Sequence, residues 1–174
     1  MRIIDQINLN KNDITIVEAT LEQQELYRNL VNLQYHDLSE FRDNFDIQED
    51  GRFEWGFAAC FKPNNEHHHP LLIMSKNRIV GFLIFSVFKG KHPEVDFQLV
   101  EMFVLKMYRK KGIGKTAIQL IFDEFKGRYH LDVAESNLSA IKFWEYLISD
   151  KSSKMAKKNF EDEGNKYINY IFVI

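Results

Sequence analysis
Between positions 109 and 116 the chain reads Arg109-Lys110-Lys111-Gly112-Ile113-Gly114-Lys115-Thr116, a basic turn punctuated by two glycines. The apolar run Leu99-Val100-Glu101-Met102-Phe103-Val104-Leu105 precedes it and reads as a strand buried on both faces. Ala117, Ile118, Ile121, Phe122 and Phe125 follow at the spacing of one helix face. A turn from a strand into a helix gathers free N–H groups at the positive end of the helix dipole, and such a place binds phosphate. Lys106, Arg109, Lys110, Lys111 and Lys115 add positive charge in a chain whose net charge is only -2. Charge so local suits a small polyanion and gives no reason to expect nucleic acid or an anionic membrane as partner.

Two phosphate-binding patterns overlap here. Gly114-Lys115-Thr116 matches the close of a nucleotide P-loop, G-x-x-x-x-G-K-[ST], but that pattern needs glycine at 109, where this chain has arginine. Arg109 to Gly114 fits R-x-x-G-x-G in full. Downstream, Tyr129-His130-Leu131-Asp132-Val133-Ala134 alternates as a strand, and Asn137-Leu138-Ser139-Ala140-Ile141-Lys142-Phe143-Trp144 fits N-x-x-A-x-x-F-[YW] at a helix start. The two patterns, in this order and on these elements, resemble the signature of the GNAT superfamily of N-acetyltransferases. Glu101-Met102-Phe103-Val104 and Phe143-Trp144 further resemble a little-characterised group of predicted acetyltransferases within it.

The resemblance implies an α/β fold, with a mixed, mostly antiparallel central sheet flanked by helices on both faces and two splayed central strands. It implies acetyl-CoA as cofactor, bound by Met102, Phe103, Val104, Arg109, Lys110, Lys111, Gly112, Ile113, Gly114 and Lys115 on one side of the splay. Asn137, Ala140 and Trp144 would line the other. The implied reaction moves an acetyl group directly to a primary amine of a small molecule, peptide or protein, and the fold admits a homodimer. Glu101 is the candidate general base, since a carboxylate on a central strand is costly without a task. Pairing with a neighbour that merely holds the fold is the competing role. Many relatives carry their strand carboxylate on the opposite parity, where this chain has Val100 and Gln98, and many have tyrosine where it has Trp144. These departures keep a non-catalytic acyl-CoA-binding homologue open as an alternative. Tyr146, about 200° further round the helix, is expected to point away. For the amine, Tyr35, His36, Asp37 and Glu40 in the polar, aromatic stretch Gln34–Phe41 are the candidates, with an exposed helix end as the plain alternative.

The remaining chain must position these groups. At 174 residues and 45% hydrophobic content, one domain spanning 1–174 is expected. Ile14–Glu18 reads as a first strand. A helix capped by Thr20 is expected to bury Leu26, Leu30, Leu33 and Tyr27, with a second short helical or loop segment over Asp37–Phe41. Positions 42 to 70 read as irregular, with turn signals at Asp50-Gly51 and Pro63-Asn64-Asn65. Leu71–Met74 and Ile79–Phe88 form a hairpin, Gly90-Lys91-His92-Pro93 a turn, and strands near 153–160 and 167–174 a final hairpin. His67-His68-His69 lacks the spacing of a metal site, so no metal is expected. Cys60 is the single cysteine, which excludes an intrachain disulfide. With no apolar h-region in Met1–Asp5 and no apolar stretch of membrane-spanning length, it points to a cytoplasmic protein.

Overall fold
The chain folds back on itself most sharply at three hairpins. In a computed structural model describing residues 7–62, 64–88, 90, 94–152 and 154–174, β1 (Asn8–Lys11) meets β2 (Ile14–Glu18) through Asn12 and Asp13, with φ of 50° and 63°. β3 (His68–Ser75) meets β4 (Arg78–Val87) through Lys76 and Asn77 at 48° and 61°. β7 (Met155–Asp162) meets β8 (Asn165–Val173) through Glu163 and Gly164 at 49° and 78°. Two consecutive left-handed residues match the twist of the flanking strands, so each pair closes without splaying. β5 (Phe97–Val104) and β6 (Arg128–Ala134) complete a sheet ordered β1-β2-β3-β4-β5-β6-β8-β7. All its pairings are antiparallel except β5 with β6.

Strand alternation divides the core in two. α1 (Gln24–Leu38) packs Tyr27, Leu30, Val31 and Tyr35 on one face, against Leu72, Phe82, Ile84 and Phe103. α2 (Ile113–Glu124) and α3 (Leu138–Lys151) cover the other face, where Ile118, Ile121, Phe122, Leu147 and Ile148 meet Ile73, Leu83, Phe85 and Phe97. The Tyr27 hydroxyl, fully buried, donates to the Leu83 carbonyl at 2.6 Å and pins α1 to β4.

Several expectations are corrected. β1 is an additional edge strand, too polar at Asn8 and Asn10 to signal itself. α1 continues unbroken to Leu38, so of the segment Asp37–Phe41 the first two residues end that helix and the rest form the turn after it. Its buried stripe runs through Tyr27, Leu30, Val31, Gln34 and Tyr35, while Leu26 and Leu33 are 38% and 50% exposed. The irregular stretch after it contributes Phe45, Phe53, Trp55, Phe57 and Phe61 to the core beside α1. The expected positions Pro63 and Lys91-His92-Pro93 lie outside the described residues.

Two irregularities in β5 matter for function. Its register against β4 pairs Ile84 with Glu101 but Phe85 with Leu99, leaving Val100 as a bulge. The extra residue reverses side-chain parity: Phe97 and Leu99 before it and Met102 and Val104 after it all face the α2–α3 core. Second, β5 and β6 pair only at Phe97–Tyr129 and Gln98–His130, and beyond these residues they separate. The sheet is split toward its β5 C-terminal end.

Gly81 lets β4 and β5 lie close beside the split, for a Cβ there would stand 2.1 Å from the Phe103 carbonyl oxygen and 3.0 Å from the Val104 Cα. Both are backbone atoms of a paired strand and have little room to yield. Gly81→Ala is expected to lower unfolding free energy by about 2–3 kcal/mol, read as a reduced urea midpoint.

Candidate active site in the sheet split
The split opens into two adjoining cavities. The larger, about 690 Å³, runs over the start of α2. The smaller, about 330 Å³, lies between the separating parts of β5 and β6. Gln34, Leu38, Met102, Asn137, Ala140 and Trp144 line both, so the cavities meet at their common wall.

The larger cavity has the features of an anion site. Arg109 ends a short 3-10 turn, and Lys110 and Gly112 take left-handed φ of 59° and 79° to carry the chain into α2. A Cβ at Gly112 would meet nothing within 4 Å, so glycine serves the backbone turn there rather than the space. At Gly114 the reason is closeness: an added Cβ would lie 2.8 Å from Met102 Cε. Within this turn Thr116 donates its N–H to Gly112, leaving the preceding amides of α2 without a helical carbonyl to reach. Lys106, Arg109, Lys110 and Lys115 stand around them.

Arg109 is held in place. Its Nε donates to the Val104 carbonyl at 2.7 Å and its Nη2 to Asp37 Oδ2 at 2.5 Å, while Lys106 Nζ lies 3.0 Å from Asp37 Oδ1. Burial pushes the Asp37 carboxyl up, but the hydrogen bonds and charges of Arg109 and Lys106 outweigh it and hold the group below the ordinary aspartate range. α1 is thereby tied to the loop that begins α2.

Asn137 caps α3, its Oδ1 accepting from the Ala140 N–H and the Ser139 hydroxyl, each at 3.0 Å. The cap aims the first turn of α3, with Ala140 and Trp144, at the split. Tyr146, expected to point away, reaches the larger cavity instead, where Lys115 Nζ donates to its hydroxyl at 2.7 Å.

Glu101 lies in the smaller cavity. Its Oε2 accepts from Gln34 Nε2 at 2.5 Å. Burial pushes its carboxyl above the ordinary glutamate value; the charge of Arg42 and the Gln34 bond pull it back only in part.

The structure brings together Glu101, Met102, Phe103, Val104, Arg109, Lys110, Gly112, Ile113, Gly114, Lys115, Asn137, Ala140 and Trp144 around these cavities. Lys111 is exposed and is not among the lining residues, though its Nζ lies 5.8 Å from the centre of the Tyr108 ring, which lines the larger cavity. Of the four residues expected to meet the amine, Asp37 and Glu40 line the larger cavity, but both Asp37 oxygens are already engaged by cations. For Tyr35 and His36 the structure departs from expectation. Tyr35 is buried beside Phe45, Phe53 and Phe57, and the His36 side chain is 78% exposed. Helix geometry explains the sorting: Gln34, Asp37 and Leu38 share a face of α1 at i, i+3 and i+4, and that face lines the cavity, with Phe41 in the turn just beyond the helix. Gln34 was therefore findable by period. Arg42, in the irregular stretch that follows, carried no such signal. The histidines are dispersed: His67, His68 and His69 each turn Nδ1 to a different partner, namely the Val87 carbonyl, Ser86 Oγ and Glu18 Oε1.

Asp37→Asn should keep the fold and loosen the tie between α1 and the loop. Because the carboxyl is held below its unfolded value, its contribution is present above about pH 4 and is lost as pH falls through the lowered folded value. The unfolding free energy of the native protein, from urea denaturation, should exceed that of the variant at pH 6 by at most about 1 kcal/mol. The gap should close on acidification below pH ~4.

The family relationships agree with this geometry. A sequence model of the acetyltransferase (GNAT) family matches residues 28–147, more than half of the chain. No curated protein matches the sequence. Among solved structures, an acetyltransferase from Thermus thermophilus superposes with a TM-score of 0.62 at 13% identity, covering 97% of this chain and 100% of that one. The Salmonella typhimurium acetyltransferase that modifies the N-terminal serine of ribosomal protein L7/L12 gives 0.62 at 13%, over 97% and 99% of the two chains. A GNAT acetyltransferase from Elizabethkingia anophelis with acetyl-CoA bound gives 0.50 at 10%, over 94% and 97%. At these identities the superpositions establish the fold, a mixed and mostly antiparallel open sheet with helices on both faces, and the sequence match establishes the lineage: the chain belongs to the acetyltransferase (GNAT) family.

Proposed function
We propose that this protein transfers an acetyl group from acetyl-CoA to a primary amine, with the cosubstrate in the larger cavity and the amine in the smaller one. The observation that carries the reading is the meeting of the two cavities beside Glu101 at the split. The residues present fit the cosubstrate. The free amides at the start of α2, with Lys106, Arg109, Lys110 and Lys115, suit a pyrophosphate, and the apolar wall of Met102, Ala140, Phe143 and Trp144 suits the uncharged arm beyond it. Beyond Gln98, the edge of β5 that faces β6 has no strand partner and is available to a ligand backbone.

Bound acetyl-CoA supplies an acyl group already activated as a thioester. The protein must hold the amine against it and remove a proton. An alkylamine with pKa about 10.4 costs roughly 4 kcal/mol to deprotonate near pH 7.4. Glu101, raised by burial yet held by Gln34, is placed to take that proton directly or through a water. Trp144 offers no useful acid. Tyr146 reaches the larger cavity and has a hydroxyl, already receiving the Lys115 bond. The single cysteine fits a reducing, cytoplasmic setting, and no helix among the described residues is long and apolar enough to cross a membrane.

Glu101→Gln keeps the size of the side chain and removes the base. It should lower kcat for amine acetylation roughly 10²–10⁴-fold while acetyl-CoA affinity stays unchanged. In the native enzyme kcat/KM should fall on acidification through a midpoint above the usual glutamate value, because the base acts only when ionised, and that limb should vanish in the variant. Equal turnover by the two proteins would remove Glu101 from the role.

A further inference from the structure
The smaller cavity contains two buried polar groups whose hydrogen-bonding capacity is unused. Gln34 is 3% exposed; its Nε2 is committed to Glu101, and its Oε1, inaccessible to solvent, accepts no bond from the protein. Together with the Glu101 carboxylate it forms a set of oxygens, which suits an amine or ammonium. Arg42 presents the opposite chemistry. Among the described residues its buried Nε has no partner, and Nη1 donates to the Tyr167 hydroxyl at a long 3.5 Å.

Aromatic rings hold the guanidinium in place, Phe45 at 4.5 Å and Tyr167 at 6.0 Å from their centres. Among the described residues no carboxylate lies within ion-pair distance of it. A guanidinium is always charged, and half-buried here it is balanced at a distance by the Glu101 carboxylate, with which it makes no direct ion pair. The fork of donors matches a carboxylate.

The opposite wall carries Asp132 and, at the mouth, the exposed Asp162. Asp132 Oδ1 is bonded to His130 at 3.2 Å and Asn169 at 2.7 Å, which fixes that carboxylate against β6 and β8. An acceptor bearing only positive charge would leave Arg42 unpaired and meet its repulsion. Resting on the acetyltransferase reading above, we infer that the acceptor is a small amino carboxylate, an amino acid or its close analogue, whose amine sits on the Glu101 carboxylate beside Gln34 and whose carboxylate sits on Arg42. A volume of about 330 Å³ is in keeping with a molecule of that size.

The test compares acetylation of free amino acids with that of their decarboxylated amines, their carboxamides and linear polyamines, using acetyl-CoA and the full chain. The expected result is a preference for amino carboxylates. Arg42→Met should raise their KM roughly 10- to 100-fold without altering acetyl-CoA binding by calorimetry. Arg42→Lys should recover part of the loss, which separates carboxylate binding from packing. Faster or equal turnover of carboxylate-free amines, or an unchanged KM in Arg42→Met, overturns the inference and leaves the acetyltransferase reading standing. Acetylation of none of these amines, nor of peptide amines, by protein that binds acetyl-CoA overturns both.

Discussion
Parallel strands β5 and β6 pair over Phe97–Tyr129 and Gln98–His130 and then separate, and the arrangement of this protein is organised around the gap. A sheet interior cannot leave backbone N–H and C=O groups unsatisfied without cost. Here each diverging strand keeps a full partner on its other side, β4 for β5 and β8 for β6, so the sheet survives the split. The unpaired inner edges are left for a ligand. α2 starts on one side of the gap and α3 on the other, and their first turns bring amides, cations and the Trp144 wall to it.

The bulge at Val100 sets which side chains reach the gap. Without it, Glu101 would share a face with Leu99 and Phe97, which are packed in the α2–α3 core. The extra residue changes the parity, so Met102 and Val104 take over the core-facing role and Glu101 is delivered to Gln34 of α1. A carboxylate on this strand is tolerable because the amide beside it satisfies one oxygen and Arg42 supplies a nearby charge. The Asp37 bridge to Arg109 and Lys106 works in the same region, tying α1, which carries Gln34, to the turn that begins α2.

Much of this was legible in the sequence because it depends on local rules. The phosphate turn follows from Gly112 and Gly114 between an apolar run and a 3.6-residue stripe, and Asn137 declares a helix start through its capping chemistry. The hairpin at Lys76-Asn77 is legible although neither residue is glycine. What stayed hidden depends on distance or on a single inserted residue. The bulge at Val100 leaves no compositional trace. Gln34 meets Glu101 across 67 positions, and Asp37 meets Arg109 across 72. Choosing amine-facing residues by type picks Tyr35 and His36, whereas the helix turns Gln34 and Leu38 to the cavity. Phe45, Phe53 and Phe57 sit in a stretch without period, so their packing against Tyr35 had no pattern to announce it.

The central claim is that the split and the turn before α2 together bind an acyl-CoA. Calorimetric titration of the full chain with acetyl-CoA, CoA and Mg-ATP, repeated on Gly112→Trp, tests it most directly. The predicted result is saturable binding of acetyl-CoA and CoA, no comparable heat from Mg-ATP, and weakened CoA binding in a variant whose circular dichroism matches the native protein. Folded native protein that binds Mg-ATP but neither CoA species would contradict it.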